Sequence, residues 1–151
     1  MAFVHLHNHT EYSLLDGATK VYDMVKRAAD LGMPAVAITD HGVMSGVPEL
    51  ADACDKVKAE TGTWVKPIFG CEIYFTTDSS LKKEGKQKLH HMILLAKNNT
   101  GYHNIVKLVS ESHVDNFYYR PRTTFEMLEK YSEGVIATSA CIAGIIPRCV
   151  D

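Results

Sequence analysis

Apolar positions recur along this chain in two alternating rhythms, and the alternation predicts the order of elements. Residues 3–9, FVHLHNH, follow the period of two of an extended segment, which would set His5, His7 and His9 on one face. Val21, Met24, Val25 and Ala28 then fall at i, i+3, i+4 and i+7, one stripe of a helix to about Leu31 with Thr19 as its N-cap and Gly32 and Pro34 as its end. Residues 35–39, AVAIT, are a continuous apolar and β-branched run, as in a strand covered on both faces. A second amphipathic helix is predicted from about Gly46 to Glu60, with Leu50, Ala53, Cys54 and Val57 inward and Gly62 as the stop. Trp64 to Phe75 again reads as a buried strand, with Glu72 inside it. Strands and helices that alternate with short connections predict a parallel sheet with right-handed crossovers.

Residues 76–88, TTDSSLKKEGKQK, interrupt this pattern and read as a solvated loop, the one candidate linker. Its Lys82, Lys83, Lys86 and Lys88 are the densest local positive charge, a solubilising face with a DNA-backbone contact as the sharper alternative. An apolar run, 92–96, follows directly on His90 and His91. A helix from about Gly101 to His113 carries Tyr102, Ile105, Val106 and Val109 at helical spacing, with His103 and His113 as exposed polar positions. The segment FYYRPR, 117–122, mixes aromatics and arginines as a single-strand stacking platform would, and a packed loop explains it equally well. Thr123 and Glu126 have capping-box spacing and open a short helix to about Tyr131. Residues 134–138, GVIAT, are a last short strand running into Ser139, Ala140 and Cys141.

Composition narrows the class without naming a chemistry. The 151 residues suit one domain, and 46% hydrophobic with 23% charged residues is a globular balance. A net charge of −2 gives no general attraction to nucleic acid or to an anionic membrane, so any DNA contact must be local. Cys54, Cys71, Cys141 and Cys149 lack C-x-x-C spacing and are too few for a disulfide scaffold, which points to a reducing cytoplasm. No apolar run reaches the roughly 18 residues that a membrane span needs.

The chemistry collects at the ends of the apolar runs. FVHLHNH, AVAITDH, IFGCE and VIATSAC each place a potential metal ligand at or just past a predicted strand's C-terminal end, the edge where sites assemble in parallel α/β folds. His91 departs from the rule by preceding its run. The inventory is His7, His9, Asp16, His41, Glu72, His91 and Cys141, with Asp40 and His5 close by. Seven ligands exceed the four of a tetrahedral zinc site. The surplus suggests two or three metals sharing bridging carboxylates, the arrangement that hydrolyses phosphate esters, with His9, Asp16 and Glu72 as its catalytic members. Cys71 alternates to the opposite strand face from Glu72 and reads as core, as does Cys54 on its helix stripe.

HLHNHTEYSLLDG, AVAITDHG, GCEIY, HHMILLAKN with GYHNIVKLVS, FYYRPR and TSACIAG together resemble the PHP (polymerase and histidinol phosphatase) domain found at the N-terminus of bacterial replicative DNA polymerase III alpha subunits, over essentially the whole of 1–151. The resemblance implies a distorted seven-stranded β/α barrel, here its truncated N-terminal portion as one domain, with two or three divalent ions, zinc or manganese, and fewer if the piece stands alone. It maps the family's ligands onto His7, His9, Asp16, His41, Glu72, His91 and Cys141. It leaves His5, where many relatives carry aspartate, either behind the ligands or structural, and has Asp40 orient His41. The family's last two ligands, an Asp-x-His pair, are expected beyond residue 151, which would leave an open apolar edge or a dimer covering it. The implied activity is metal-dependent phosphodiester hydrolysis as a 3′→5′ proofreading exonuclease within a cytoplasmic DNA-directed DNA polymerase. The implied partners are primer-template DNA, the rest of the polymerase chain, a proofreading subunit and a sliding clamp, with no membrane and no DNA-contacting residue assigned. Two alternatives are a catalytically silent structural module and a stand-alone histidinol-phosphatase-like enzyme.

Overall fold

Helices and strands alternate as the apolar rhythm predicts, in a computed structural model that describes residues 3–14, 16–78 and 88–149. The order is α1 (Val21–Asp30), β1 (Ala35–Ile38), α2 (Val47–Thr61), β2 (Lys66–Phe75), β3 (His90–Ala96), α3 (Asn99–Val114), β4 (Phe117–Tyr118), β5 (Arg120–Thr123), α4 (Phe125–Lys130) and β6 (Val135–Thr138). Most of the Lys-rich stretch, 79–87, lies outside the described residues.

The stripe on α1 buries Val21, Val25 and Ala28, and it packs against Leu50, Ala53, Cys54 and Val57 of α2 and against Val36 and Ile38 of β1. Gly62 ends α2 with φ 72, a conformation that costs glycine nothing. A second core joins Cys71, Ile73 and Phe75 of β2 and Leu94 of β3 to Ile105, Leu108 and Val109 of α3 and Met127 of α4. Strand alternation therefore turns Cys71 toward α3 and Glu72 to the opposite face, where it pairs across the sheet with Ile93.

The expected parallel sheet is only half present. β1 and β5 both run parallel to β2, whereas β3 is antiparallel to β2 and β6 antiparallel to β3. Among the described residues no helix lies between β2 and β3. Residues 3–9 are extended beside β1, tied by Ala37 N–H donating to His5 O at 3.1 Å and Thr39 N–H to Asn8 O at 3.0 Å.

Three helix starts differ from expectation. Thr19 does not cap α1: its backbone bridges Thr10 and accepts from Glu11 N–H, and the cap position falls to Lys20. Thr123 is fully buried in β5 opposite Phe75, so Thr124 caps α4 by accepting from Met127 N–H. α3 starts two residues early because Asn98 caps it, accepting from Gly101 N–H at 2.9 Å. FYYRPR, read as a stacking platform or a packed loop, forms a tight antiparallel hairpin, β4–β5, on the β2 edge.

Candidate metal centre

Glu72 is the centre of the site. It is 1% exposed, and its two oxygens meet side chains delivered by four separate segments. The extended N-terminal segment brings His7 Nε2 to 2.8 Å and His9 Nε2 to 2.6 Å from Oε2. The turn after β1 brings His41 Nδ1 to 3.6 Å from the same oxygen. His91, at the start of β3, sets Nδ1 3.0 Å from Oε1. Cys141 completes the ring, Sγ 3.8 Å from Oε1 and 3.4 Å from His91 Nδ1.

Asp16 forms the outer half, with Oδ2 2.6 Å from His9 Nδ1 and 3.0 Å from His41 Nε2. Three overlapping triads result: His7, His9 and Glu72; His9, Asp16 and His41; His41, Glu72 and His91. Within each triad the ligand atoms lie no more than 4.8 Å apart. His7, His9 and Asp16 open onto a pocket of about 380 Å³.

The antiparallel turn of β3 explains why His91 breaks the sequence rule. Its N-terminal end lies beside the C-terminal end of β2, with His91 opposite Tyr74, so a residue preceding its strand reaches the same edge as residues following theirs. β6 runs back along β3 and releases Cys141 there. Ala140, with φ 55, makes the sharp bend, an uncommon conformation for a residue with a Cβ.

The charge balance fits a cation. Burial alone would push the Glu72 carboxyl up, but hydrogen bonds from His9 and His7 and the nearby His41 bring it to about 2. The Glu72 hydrogen bond raises His9 despite its burial, and Asp16 adds to the rise. Burial lowers His41, whose Nδ1 is shut from solvent with no hydrogen-bond partner among the described residues. Imidazole nitrogens crowded 3.2 Å apart at His7 and His9, a buried carboxylate between them, an orphaned His41 nitrogen and one thiol are a donor set suited to a divalent transition ion.

Asp40 departs from its expected role, and His5 stands outside the cluster, as its structural alternative allowed. Asp40 does not reach the His41 ring; both its oxygens are taken by Thr10, so it fixes the backbone that presents His9. His5 is exposed and packs its ring against Phe3 at 4.7 Å, because Asn8 bends the segment by donating to His5 O and Ala37 O. Sequence reasoning missed Tyr74, whose ring lies 5.6 Å from His41 and 5.5 Å from His91. It stands two residues from Glu72 on the same strand face, a spacing that could have flagged it. His113 is exposed, as its helical position suggested, and also sets Nε2 2.7 Å from Gly42 O, behind His41.

A family model described as the PHP domain matches residues 5–151. The chain is 47% identical to the DNA polymerase III subunit alpha of Borreliella burgdorferi over 98% of its length, and 44% identical to that of Aquifex aeolicus over 95%. It spans only 13% and 12% of those two relatives. Among solved structures, an amidohydrolase from Chromobacterium violaceum is 20% identical with a TM-score of 0.50, covering 73% of this chain and 33% of that one, a likeness of fold.

Proposed function

Because the chain belongs to the PHP domain family, we propose that it is the N-terminal domain of a bacterial replicative DNA polymerase III alpha chain and hydrolyses phosphodiesters as a 3′→5′ exonuclease. The observation that carries the reading is Glu72, one buried carboxylate touched by imidazoles from the N-terminal segment, the β1 turn and β3. His7, His9, Asp16, His41, Glu72, His91 and Cys141 would hold two or three divalent ions, zinc or manganese. Ions so bound supply Lewis acidity and a water of lowered pKa.

The chain's own residues do the rest. Glu72 spans the pocket and keeps its charge because His7 and His9 offset its burial. Asp16 orients both His9 and His41 and is exposed enough to take a proton from water at the pocket mouth. Tyr74 closes the inner wall beside His41 and His91 and excludes solvent from that side. The companions in this reading are primer-template DNA, the remainder of the polymerase, a proofreading subunit and a sliding clamp, in the cytoplasm. No described helix is long and apolar enough to cross a membrane.

The test is made on the full-length protein: metal content by mass spectrometry, and release of nucleotides from a primer with a mispaired 3′ end. Glu72→Gln should lower bound metal and abolish release while polymerisation continues. Metal-replete protein that releases nothing would overturn the exonuclease assignment.

A further inference from the structure

The β4–β5 hairpin packs on the Tyr74 side of the metal cluster, and neither the ligand set nor the core accounts for its tip. Tyr119 is 81% exposed and sits at φ 57, left-handed backbone that is an outlier for so bulky a side chain. Its ring meets Tyr118 edge-on at 4.6 Å, which leaves the outer face open, and its neighbours are engaged. Phe117 stacks on His113 at 6.0 Å, and Tyr118 lies under the Arg122 guanidinium at 5.5 Å. Arg122 is buried and donates through Nε to Asn116 O. The strained turn thus holds one ring outward while a buried arginine braces the hairpin from within.

Arg120, next in sequence, is exposed and lies over the Tyr74 ring at 5.3 Å. Tyr74 in turn faces His41 and His91. A single aromatic ring therefore separates an exposed guanidinium from two members of the metal cluster, in a chain whose net charge is −2. Guanidinium matches a phosphate by paired hydrogen bonds, and an open aromatic face stacks on any nucleobase.

We infer that this hairpin seats a single-stranded nucleic-acid end for the pocket, Arg120 meeting a backbone phosphate and Tyr119 stacking on the adjoining base. The inference rests on the phosphodiesterase reading and specifies its substrate. A base inside a duplex is stacked on both faces, so the seat favours frayed or mispaired ends over duplex. Arg120 binds substrate, and Tyr119 positions it.

Two measurements on the full-length protein test this. In the first, a deoxythymidine oligomer carrying 5-iodouracil at its 3′ end is irradiated with the protein and the crosslink is mapped by mass spectrometry. This readout needs no turnover. The expected crosslink falls on the peptide holding Tyr118 and Tyr119 and is lost in Tyr119→Ala; crosslinks confined to other peptides would overturn the seat even if hydrolysis occurs. In the second, manganese-loaded protein acts on the same oligomer without iodine and on bis(p-nitrophenyl) phosphate. Arg120→Ala should raise KM about tenfold for both, with part recovered in Arg120→Lys, as expected for a lost charged hydrogen bond. Tyr119→Ala should raise KM about tenfold for the oligomer and less for the aryl diester, and Tyr119→Phe should restore it. Equal KM in wild type and variants would also overturn the seat. A crosslink at Tyr119 in protein that hydrolyses neither compound would uphold the seat and remove the phosphodiesterase reading.

Discussion

Both carboxylate oxygens of Asp40 are committed to Thr10, Oδ1 accepting the backbone N–H at 2.6 Å and Oδ2 the hydroxyl at 2.8 Å. Asp40 and Thr10 are 1% and 0% exposed, so neither group has water to fall back on. Asp40→Ala should therefore leave a buried N–H unpaired and cost about 1–3 kcal/mol of stability, read as a fall in chemical-denaturation midpoint. Asp40→Asn keeps one acceptor of the right shape and should lose much less. Equal losses for the two variants would mean that the hydrogen bonds do not matter.

Proton and metal should compete for the cluster, and the pKa directions set the pH window in metal-free protein. Glu72 falls from 4.5 to about 2, so its contribution is present above about 4.5 and is lost as pH falls toward 2. His9 is raised above 6.5, so its contribution is complete below 6.5 and is lost as pH rises through the folded value. His41 is lowered by burial, so its contribution is complete above 6.5 and is lost as pH falls through the folded value. With the two histidines opposed, chelator-stripped protein should melt at its highest temperature near pH 6.5. Added zinc or manganese should move the optimum upward, because ligation needs the imidazoles deprotonated. Superimposable melting profiles with and without metal would contradict this.

How far the sequence could be read depended on whether neighbours or distant segments decided the outcome. The α1 and α2 stripes were legible because Val21, Val25, Leu50 and Val57 repeat at helical spacing, and tertiary packing used the face that the spacing offered. The members of the cluster were legible because ligand-type residues gather in and just after the apolar runs. What stayed hidden depended on pairing direction and on partners remote in sequence. Nothing local says that β3 runs antiparallel, so His91 looked misplaced until Tyr74 was seen opposite it. Nothing local says that Asp40 prefers Thr10 across 30 residues to its neighbour His41. The Thr123 cap failed for the same reason: a nonlocal strand pairing claimed the residue first.

The thiols should sort by burial. Cys54 is fully buried, and burial pushes it up to about 11; Cys71 is also fully buried and raised. Both should be inert to a disulfide reagent in folded protein. Cys149 is exposed and Cys141 half-buried beside His91. Metal-free protein should release two equivalents of reporter rapidly and metal-loaded protein one, with peptide mapping assigning the protected thiol to Cys141. Unchanged labelling of Cys141 on metal addition would remove it from the ligand set.

Gly42 ties the His41 turn to both neighbouring layers. Its N–H donates to Glu72 O at 2.8 Å, and its carbonyl oxygen lies 2.7 Å from His113 Nε2. Its φ is +67, and a Cβ there would come within 2.8 Å of Pro121 Cγ in the hairpin. Gly42→Ala therefore adds left-handed strain to a clash and should cost about 1–3 kcal/mol. His113→Ala removes only the brace, and exposure lets water replace part of it, so the stability loss should stay below about 1 kcal/mol. Since the braced turn carries His41, both variants should also weaken metal retention against a chelator, Gly42→Ala more than His113→Ala. A His113→Ala protein that holds its metal as tightly as wild type would show that the turn is fixed by Glu72 and Pro121 alone.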